Sequence, residues 1–394
     1  MKFFKRLKLS KDALAMLITS LFLMMHFSCT KETAISLKPA VILAAPDAIP
    51  SSFVSAAAVI ETMGTGYNLG NTFDLNYQNS DPASIYPIID KFYNIGMRHI
   101  RIPVTWIGGF NGVHLADNNG NINFQHPRFL QLKAVIDYAI NKEMIVVINT
   151  HHEDWLYKNY DGSAQYDNKF ANIWTGIANH FIDYSDLLVF EILNEPQGVF
   201  GDWIGGADPF NATALALTRK INKVGYDAVR NTGGKNAERV IMVSSNGMGS
   251  HIQLDDVYPS KASLPGGGLD KYLAIHVHSY DPWSFCGPTG SNSFWPGNDA
   301  VASPLVTLAN YAKTLDVPVN LGEFAVGRET NVSERNTDIV RDYYRTTRLT
   351  CLNNNISPTV WEDRGWYGLI DLSGSNFLYN IVPYMMEADV TLSL

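Results

Sequence analysis

The chain reads as an α/β protein, a (β/α)8 TIM barrel carried by a single catalytic-sized domain, and three observations predict this. From residue 63 onward, short apolar runs bounded by turn residues alternate with amphipathic stretches, and eight such runs can be traced. Most of them end in a polar or charged side chain, which is how a parallel barrel furnishes its C-terminal face. The 394 residues, 46% hydrophobic and 17% charged, suffice for one such barrel with a large core. An open doubly wound sheet is the structural alternative. It would bind its ligand at a switch point, and no glycine-rich phosphate loop supports it.

In order, residues 64–69 read as the first strand and 82–94 as a helix, with Asp81 placed to cap it and Gly96 just past its end. Residues 99–103 form the second strand, 127–141 the second helix, 144–149 the third strand and 168–184 the next helix. The fourth strand, 187–193, is apolar apart from Glu191, and Pro196 cannot continue its ladder, so Asn194 and Glu195 stand at its tip. A helix over 209–230 ends at Gly233-Gly234. Strands follow at 240–243, 272–277, 317–321 and 358–361, with helices at 300–315, 332–352 and 375–386. Residues 244–271 are loop-like, so the fifth helix is expected to be short or absent.

The N-terminus reads as a targeting segment. Lys2, Lys5, Arg6, Lys8 and Lys11 precede an apolar run from Ala13 to Phe27, the layout of an export signal over residues 1–28. Ser28-Cys29 is similar to a bacterial lipoprotein cleavage site, although His26 stands where Leu is usual. A lipid on Cys29 is the expected membrane link, and plain secretion the alternative. Residues 29–55, with Pro39, Pro46 and Pro50, read as a flexible tether, and 56–394 as the barrel. Cys286 and Cys351 are expected as unpaired thiols. The net charge of −8 argues against nucleic acid or an anionic polymer as partner and favours a neutral ligand. A monomer is expected.

Polar residues at the strand ends would share one site: Asn68 and Asn71, Arg101, His151-His152-Glu153, Asn194-Glu195, Asn246, His276, His278 with Tyr280, Glu323, and Trp361 with Glu362. Residues 317–324 repeat the design of the fourth strand, an apolar run delivering Glu323. Two carboxyl groups facing each other can cleave a glycosidic bond, one protonating the departing oxygen while the other attacks the anomeric carbon. The attacking group must be ionised, so Arg101 is expected to hold the pKa of Glu323 down, with Tyr280 donating to the same carboxylate. Burial and a neutral His278 would keep the proton on Glu195. Asn194 could bond a sugar 2-OH, and Trp361 offers an apolar floor.

The runs Gly66-Tyr67-Asn68-Leu69-Gly70-Asn71-Thr72-Phe73-Asp74, Ile100-Arg101-Ile102-Pro103-Val104, Asn149-Thr150-His151-His152, Leu193-Asn194-Glu195-Pro196, His278-Ser279-Tyr280 and Leu321-Gly322-Glu323-Phe324 resemble, in order, the motifs of glycoside hydrolase family 5, the endoglucanase or cellulase family. The resemblance spans roughly residues 60–390. It implies Glu195 as acid/base and Glu323 as nucleophile, with Arg101, His151, His152, Asn194, His278, Tyr280, Trp361 and Asn71 in substrate-binding places. It also implies a retaining mechanism, no cofactor or metal, and a polysaccharide substrate of the β-1,4-glucan type. The text Glu362-Asp363-Arg364-Gly365 departs from the Trp-Asp-Asn-Gly-like sequence of many members, and the Trp-Gly-Asn-Pro that often follows the start is absent, so the backbone specificity, mannan included, stays open.

Two other classes compete. His151, His152, His276 and His278 could collect a divalent ion for metal-dependent hydrolysis. A non-catalytic glycan-binding surface lipoprotein would suit the N-terminus and the aromatics, but leaves Glu195 and Glu323 without a purpose. Loops at 108–124, 154–167, 197–209 and 283–298 would wall a cleft, with Trp155, Trp203, Trp283, Phe294 and Trp295 as candidate sugar platforms.

Overall fold

The computed structural model describes residues 53–108 and 113–387. The expected export signal, Cys29 and nearly all of the tether lie outside the described residues. Among the described residues no helix is long and apolar enough to cross a membrane.

Eight parallel strands close into a barrel in chain order, β1 (Gly66–Asn68), β2 (His99–Ile102), β3 (Ile145–Asn149), β4 (Leu188–Glu191), β5 (Ile241–Ser244), β6 (Leu273–His278), β7 (Val319–Glu323) and β8 (Ile356–Val360), with β8 returning to pair with β1. The helices, in order, are α1 (Ala56–Met63), α2 (Pro82–Asn94), α3 (Pro127–Asn141), α4 (Asp154–Asn159), α5 (Ala164–His180), α6 (Ala212–Arg230), α7 (Leu254–Val257), α8 (Trp283–Cys286), α9 (Asn298–Leu315), α10 (Asp338–Asn353) and α11 (Ile381–Met386). The barrel expectation therefore holds, and α2 and α3 fall where the sequence placed them. Asp81 caps α2 through the Ala83 N–H, and Asn211, within an Asn-Ala-Thr sequon, caps α6 through the Thr213 N–H.

Several boundaries differ. Helix α5 begins and ends four residues earlier than expected, and the last helix is only six residues long, following an irregular segment. Strand β8 starts two residues before Pro358; Pro358 sits within the ladder against Leu321. The 244–271 region holds only the four-residue α7 and 3-10 turns, as the loop-like text implies. Helix α1, with no counterpart in the sequence reading, is capped by Ser55 and tied to the start of β6 by the Ala56 N–H on the Lys271 carbonyl at 2.9 Å.

The strands' two faces bury differently. Val146, Ile148, Phe190, Ile241, Val243, Ile275 and Val277 pack outward with the helices. Their alternates Val147, Val189, Met242 and Ala274 form a separate cluster with Ala56, Val59, Ile60 and Met63 of α1, so α1 plugs the N-terminal end of the barrel interior. Above this plug the interior turns polar. The His99 ring bonds the Met63 carbonyl at 2.8 Å and Thr359 Oγ1 at 2.7 Å, and burial lowers its pKa to about 4, keeping it neutral. Asn320 donates to Thr359 Oγ1 and to the Ser357 carbonyl.

The β6–β7 ladder shifts register between Val277 and His278, so that His278 pairs with Glu323 and Gly322 is the extra residue. A Cβ at Gly322 would stand 1.9 Å from His276 Cε1, so only glycine fits. This bulge turns the Glu323 carboxylate to the mouth of the barrel. Cys286 and Cys351 are free and buried, and burial pushes the Cys286 thiol up to about 12, as expected of inert structural thiols.

Candidate active site

Arg101, wholly buried on β2, organises the C-terminal end of the interior. Its Nε and Nη2 donate to the two oxygens of Glu191 at 2.6 and 2.8 Å. Nη1 reaches Glu323 Oε1 and Asn68 Oδ1, both at 2.7 Å, and Nη2 reaches Asn194 Oδ1 at 2.7 Å. One guanidinium thus ties β1, β2, β4 and β7 together with all its forks used. Asn68 in turn donates to the Gly322 and Val360 carbonyls. Asn149 Nδ2 donates to Glu191 Oε1 at 2.8 Å while its Oδ1 receives the Val104 N–H.

Three carboxyl groups share this volume and differ in their donors. Although burial works against its charge, Arg101 and Asn149 bring Glu191 down to about 2. Glu323 accepts from Arg101 and, through Oε2, from the Tyr280 hydroxyl at 2.8 Å. Among the described residues Glu195 has one partner, His278 Nδ1 at 2.8 Å, and burial pushes it up to about 7. His278 itself is lowered by burial to about 4, so it is neutral near pH 7. Its Nε2 lies 3.5 Å from Glu323 Oε1, which places this ring between the two glutamates.

The expectation that Arg101 depresses the pKa of Glu323 needs correction. Burial dominates and raises Glu323; His278 and Arg101 pull the other way without overcoming it. The guanidinium is shared, and the carboxylate held low is Glu191. The donor count still ranks Glu191, Glu323 and Glu195 in order of ease of ionisation.

The other expected site residues fall into two groups. Asn194, His278 and Tyr280 join the cluster by the bonds given above. Trp361 is nearly buried, and its indole lies parallel to the His151 ring at 6.1 Å; a Cβ on Gly70 would come within 2.7 Å of the indole, so the turn after β1 leaves room for it. His152 is partly exposed and, like His151, directs Nε2 toward Asp74 Oδ2 at 3.9 Å. Asn71 stands apart. It has φ +58, and its carbonyl receives the Tyr77 and Gln78 N–H groups, so its backbone builds the turn.

Four strand-end residues serve structure. Asn246 donates to the Phe200 and Pro209 carbonyls, and His276 sits below the site between Glu191 and Asn320. Glu362 accepts the N–H groups of Arg364, Leu369 and Ile370. Glu153 likewise holds the Trp106 and Ile107 N–H groups and the Trp155 indole.

The four histidines do not converge on one divalent ion. His151 and His152 face Asp74, whereas His276 and His278 face Glu191 and Glu195 across the barrel. His151 Nδ1 meets the Asn149 Nδ2 amide at 3.1 Å and must accept, because that amide's oxygen is already used by Val104. Its proton therefore resides on Nε2, toward Asp74, where a metal would need a lone pair.

Glu191 and Asn149 were not among the expected site residues. The signal for Glu191 was present, a charge inside an otherwise apolar strand, which burial tolerates only with a partner.

One carboxylate oxygen of Glu195 and one of Glu323 lie within 4.8 Å of each other, with a His278 nitrogen within that distance of both. A facing carboxyl pair at the C-terminal mouth of a closed parallel barrel, beside an aromatic floor, is the arrangement of a barrel glycosidase. Residues 62–363 match the cellulase family, glycosyl hydrolase family 5. Endoglucanase A of Clostridium longisporum is 32% identical over 361 residues, covering 84% of this chain and 65% of that protein. Endoglucanase A of Ruminococcus albus is 30% identical over 350 residues, covering 83% of this chain and 87% of that protein. Among solved structures, a broad specificity endoglucanase from Clostridium longisporum aligns with a TM-score of 0.69 at 28% identity, covering 85% of this chain and 98% of that one. A Caldicellulosiruptor family 5 lichenase in complex with cellotetraose aligns with a TM-score of 0.68 at 25% identity, covering 84% and 96%. The chain belongs to glycoside hydrolase family 5 and is a cellulase-like glycoside hydrolase.

Proposed function

We propose that the protein is an endo-acting, retaining β-1,4-glucanase working on cellulose-type, mixed-linkage or xyloglucan chains, with Glu323 as nucleophile and Glu195 as acid/base. The observation that carries this reading is the carboxylate separation, within 4.8 Å at its nearest oxygens. Oxygens that close fall short of the about 6.5 to 9.5 Å at which inverting enzymes hold their carboxyl groups and are compatible with the about 5 to 5.5 Å of double displacement. In the first step Glu323 attacks the anomeric carbon as Glu195 protonates the departing oxygen; in the second, Glu195 takes a proton from a water whose oxygen attacks the anomeric carbon and displaces Glu323. Charge supports the division of labour. Glu323 has a cation and a hydroxyl to stabilise its anion, and Glu195, beside a neutral imidazole, keeps its proton up to about pH 7.

Asn194, oriented by Arg101, is placed to bond a sugar 2-OH, and Trp361 with His151 to floor the reacting ring. Relatives named endoglucanase, and a neighbour solved with cellotetraose, favour glucan over mannan. The basic-then-apolar layout of residues 1–28 supports export of the barrel from the cytoplasm, with a lipid on Cys29 or plain secretion. Purified protein assayed on carboxymethyl-cellulose, lichenan, xyloglucan, mannan and xylan tests the reading. Turnover of the first three, lost in Glu323→Ala with glycan binding retained, supports it. Binding without turnover of any glycan would favour a non-catalytic lectin.

A further inference from the structure

His276, wholly buried on β6, lies against the strand that carries Glu323. A Cβ on Gly322 would stand 1.9 Å from its Cε1 and 2.3 Å from its Nδ1, so the ring fills the space that a side chain at 322 would need. Gly322 is the extra residue of the β6–β7 bulge. Its position matters because side chains alternate along a strand. Asn320 faces the interior, where it bonds Ser357 and Thr359, and Leu321 packs outward. By that alternation Glu323 would face outward as well; the one-residue shift brings it inward, to Arg101 and Tyr280.

A column of hydrogen bonds fixes the ring from the α1 side. The Met63 carbonyl can only accept, so His99 Nδ1 carries the proton, and the Nε2 of this neutral ring accepts from the Thr359 hydroxyl at 2.7 Å. Thr359 Oγ1 in turn accepts from Asn320 Nδ2 at 2.9 Å, and the same nitrogen donates to the Ser357 carbonyl. Asn320 Oδ1 is thereby turned to His276, whose Nδ1 must donate to it, at 3.4 Å. Burial keeps His276 neutral, so its Nε2 presents a lone pair to Glu191 Oε1 at 3.3 Å and makes no hydrogen bond among the described residues. That contact does not draw the ring away from Gly322. The Gly322 carbonyl is held separately, by Asn68 Nδ2 at 2.9 Å.

A rigid ring packed on the bulged residue, with that residue's carbonyl held by Asn68, leaves the bulge one position. We propose that His276 is a positioning residue for the nucleophile: its ring is a wedge that props Gly322 in the bulge and so sets the Glu323 carboxylate against the anomeric carbon, while the column from α1 holds the wedge. His276 acts through Gly322 and not on the sugar. This rests on Glu323 being the nucleophile, as proposed above.

The test reads the nucleophile alone. The carboxylate that attacks 2,4-dinitrophenyl 2-deoxy-2-fluoro-β-cellobioside displaces dinitrophenolate and is left as a slowly hydrolysed glycosyl ester. Saturation of the inactivation separates binding (Ki) from attack (ki), and peptide mass mapping names the labelled residue. Wild-type protein should be labelled on Glu323. Gly322→Ala should lower ki about a hundredfold and His276→Ala about tenfold, each with Ki within about threefold. The double variant should have a ki about tenfold above that of Gly322→Ala alone, because the ring whose space the new methyl needs is gone. If His276→Ala does not fold, His276→Asn, smaller than the ring and still polar, replaces it with the same expectations. A wild-type ki in Gly322→Ala, a double variant no faster than Gly322→Ala, or a His276 variant that melts earlier with ki unchanged would overturn the assignment. Wild-type protein left unlabelled, or labelled elsewhere than on Glu323, would instead overturn the nucleophile reading itself, and this assignment with it.

Discussion

At the N-terminal end of the barrel interior the strands present Val147, Val189, Met242 and Ala274, and two residues further along the same faces they present Asn149, Glu191, Ser244 and His276. One step of the ladder thus separates an apolar plug from a buried polar network. The side chains of the plug are held by apolar packing against α1. In the network Glu191 depends on Arg101 and Asn149, since a buried charge is tolerable only when compensated. The lower half fixes the shape of the barrel, and the upper half converts that shape into an arrangement of charges.

Substitutions should therefore behave differently in the two halves. The largest effect is expected for Glu191→Leu, which deprives Arg101 of two charge-assisted bonds and Asn149 of one. Breaking a buried pair should cost about 3 to 5 kcal/mol, read by denaturant unfolding, and activity should vanish because Arg101 no longer orients Asn194 and Glu323. Retained activity with that loss of stability would show that the network only supports the fold. Met242→Ala, in the plug, should cost about 3 kcal/mol and leave kcat/KM of the folded fraction unchanged; a comparable fall in kcat/KM would mean that the halves are mechanically coupled.

The smallest expected change is in pH dependence. Activity needs Glu323 ionised and Glu195 protonated, so the rate should fall on the alkaline side through about pH 7 as Glu195 loses its proton. Tyr280→Phe removes a donor to the Glu323 carboxylate, which disfavours its anion. The acidic limb should move upward by about one pH unit or less while the alkaline limb stays, and a shift of the alkaline limb instead would assign Tyr280 to Glu195.

The contrast between the halves also explains what could be read from the residues alone. Strand order, barrel closure and the placement of Glu195 and Glu323 at strand tips follow from apolar runs and from Pro196, which are local signals. Helix α1 was missed because eight residues rich in alanine carry little periodicity, and its burial depends on a barrel floor that exists only once the strands close. Glu191 is visible as a charge in an apolar strand, but its partner, ninety residues earlier, is not. The sharing of Arg101 between Glu191 and Glu323, which overturns the expected depression of the Glu323 pKa, is a property of three strands at once. Turn chemistry at Asn71 and the backbone-holding role of Glu362 likewise depend on loops that local text does not specify.

The account stands on Glu195 and Glu323 acting as a facing pair across one glycosidic bond, and the stereochemistry of the first-formed product reports on that pairing directly. Proton NMR of cello-oligosaccharide hydrolysis should show the β-anomer of the new reducing end appearing first, with the α-anomer growing in only by mutarotation. The α-anomer appearing first would mean that a water attacks from the far side of the ring, and would contradict the double displacement that the carboxylate separation supports.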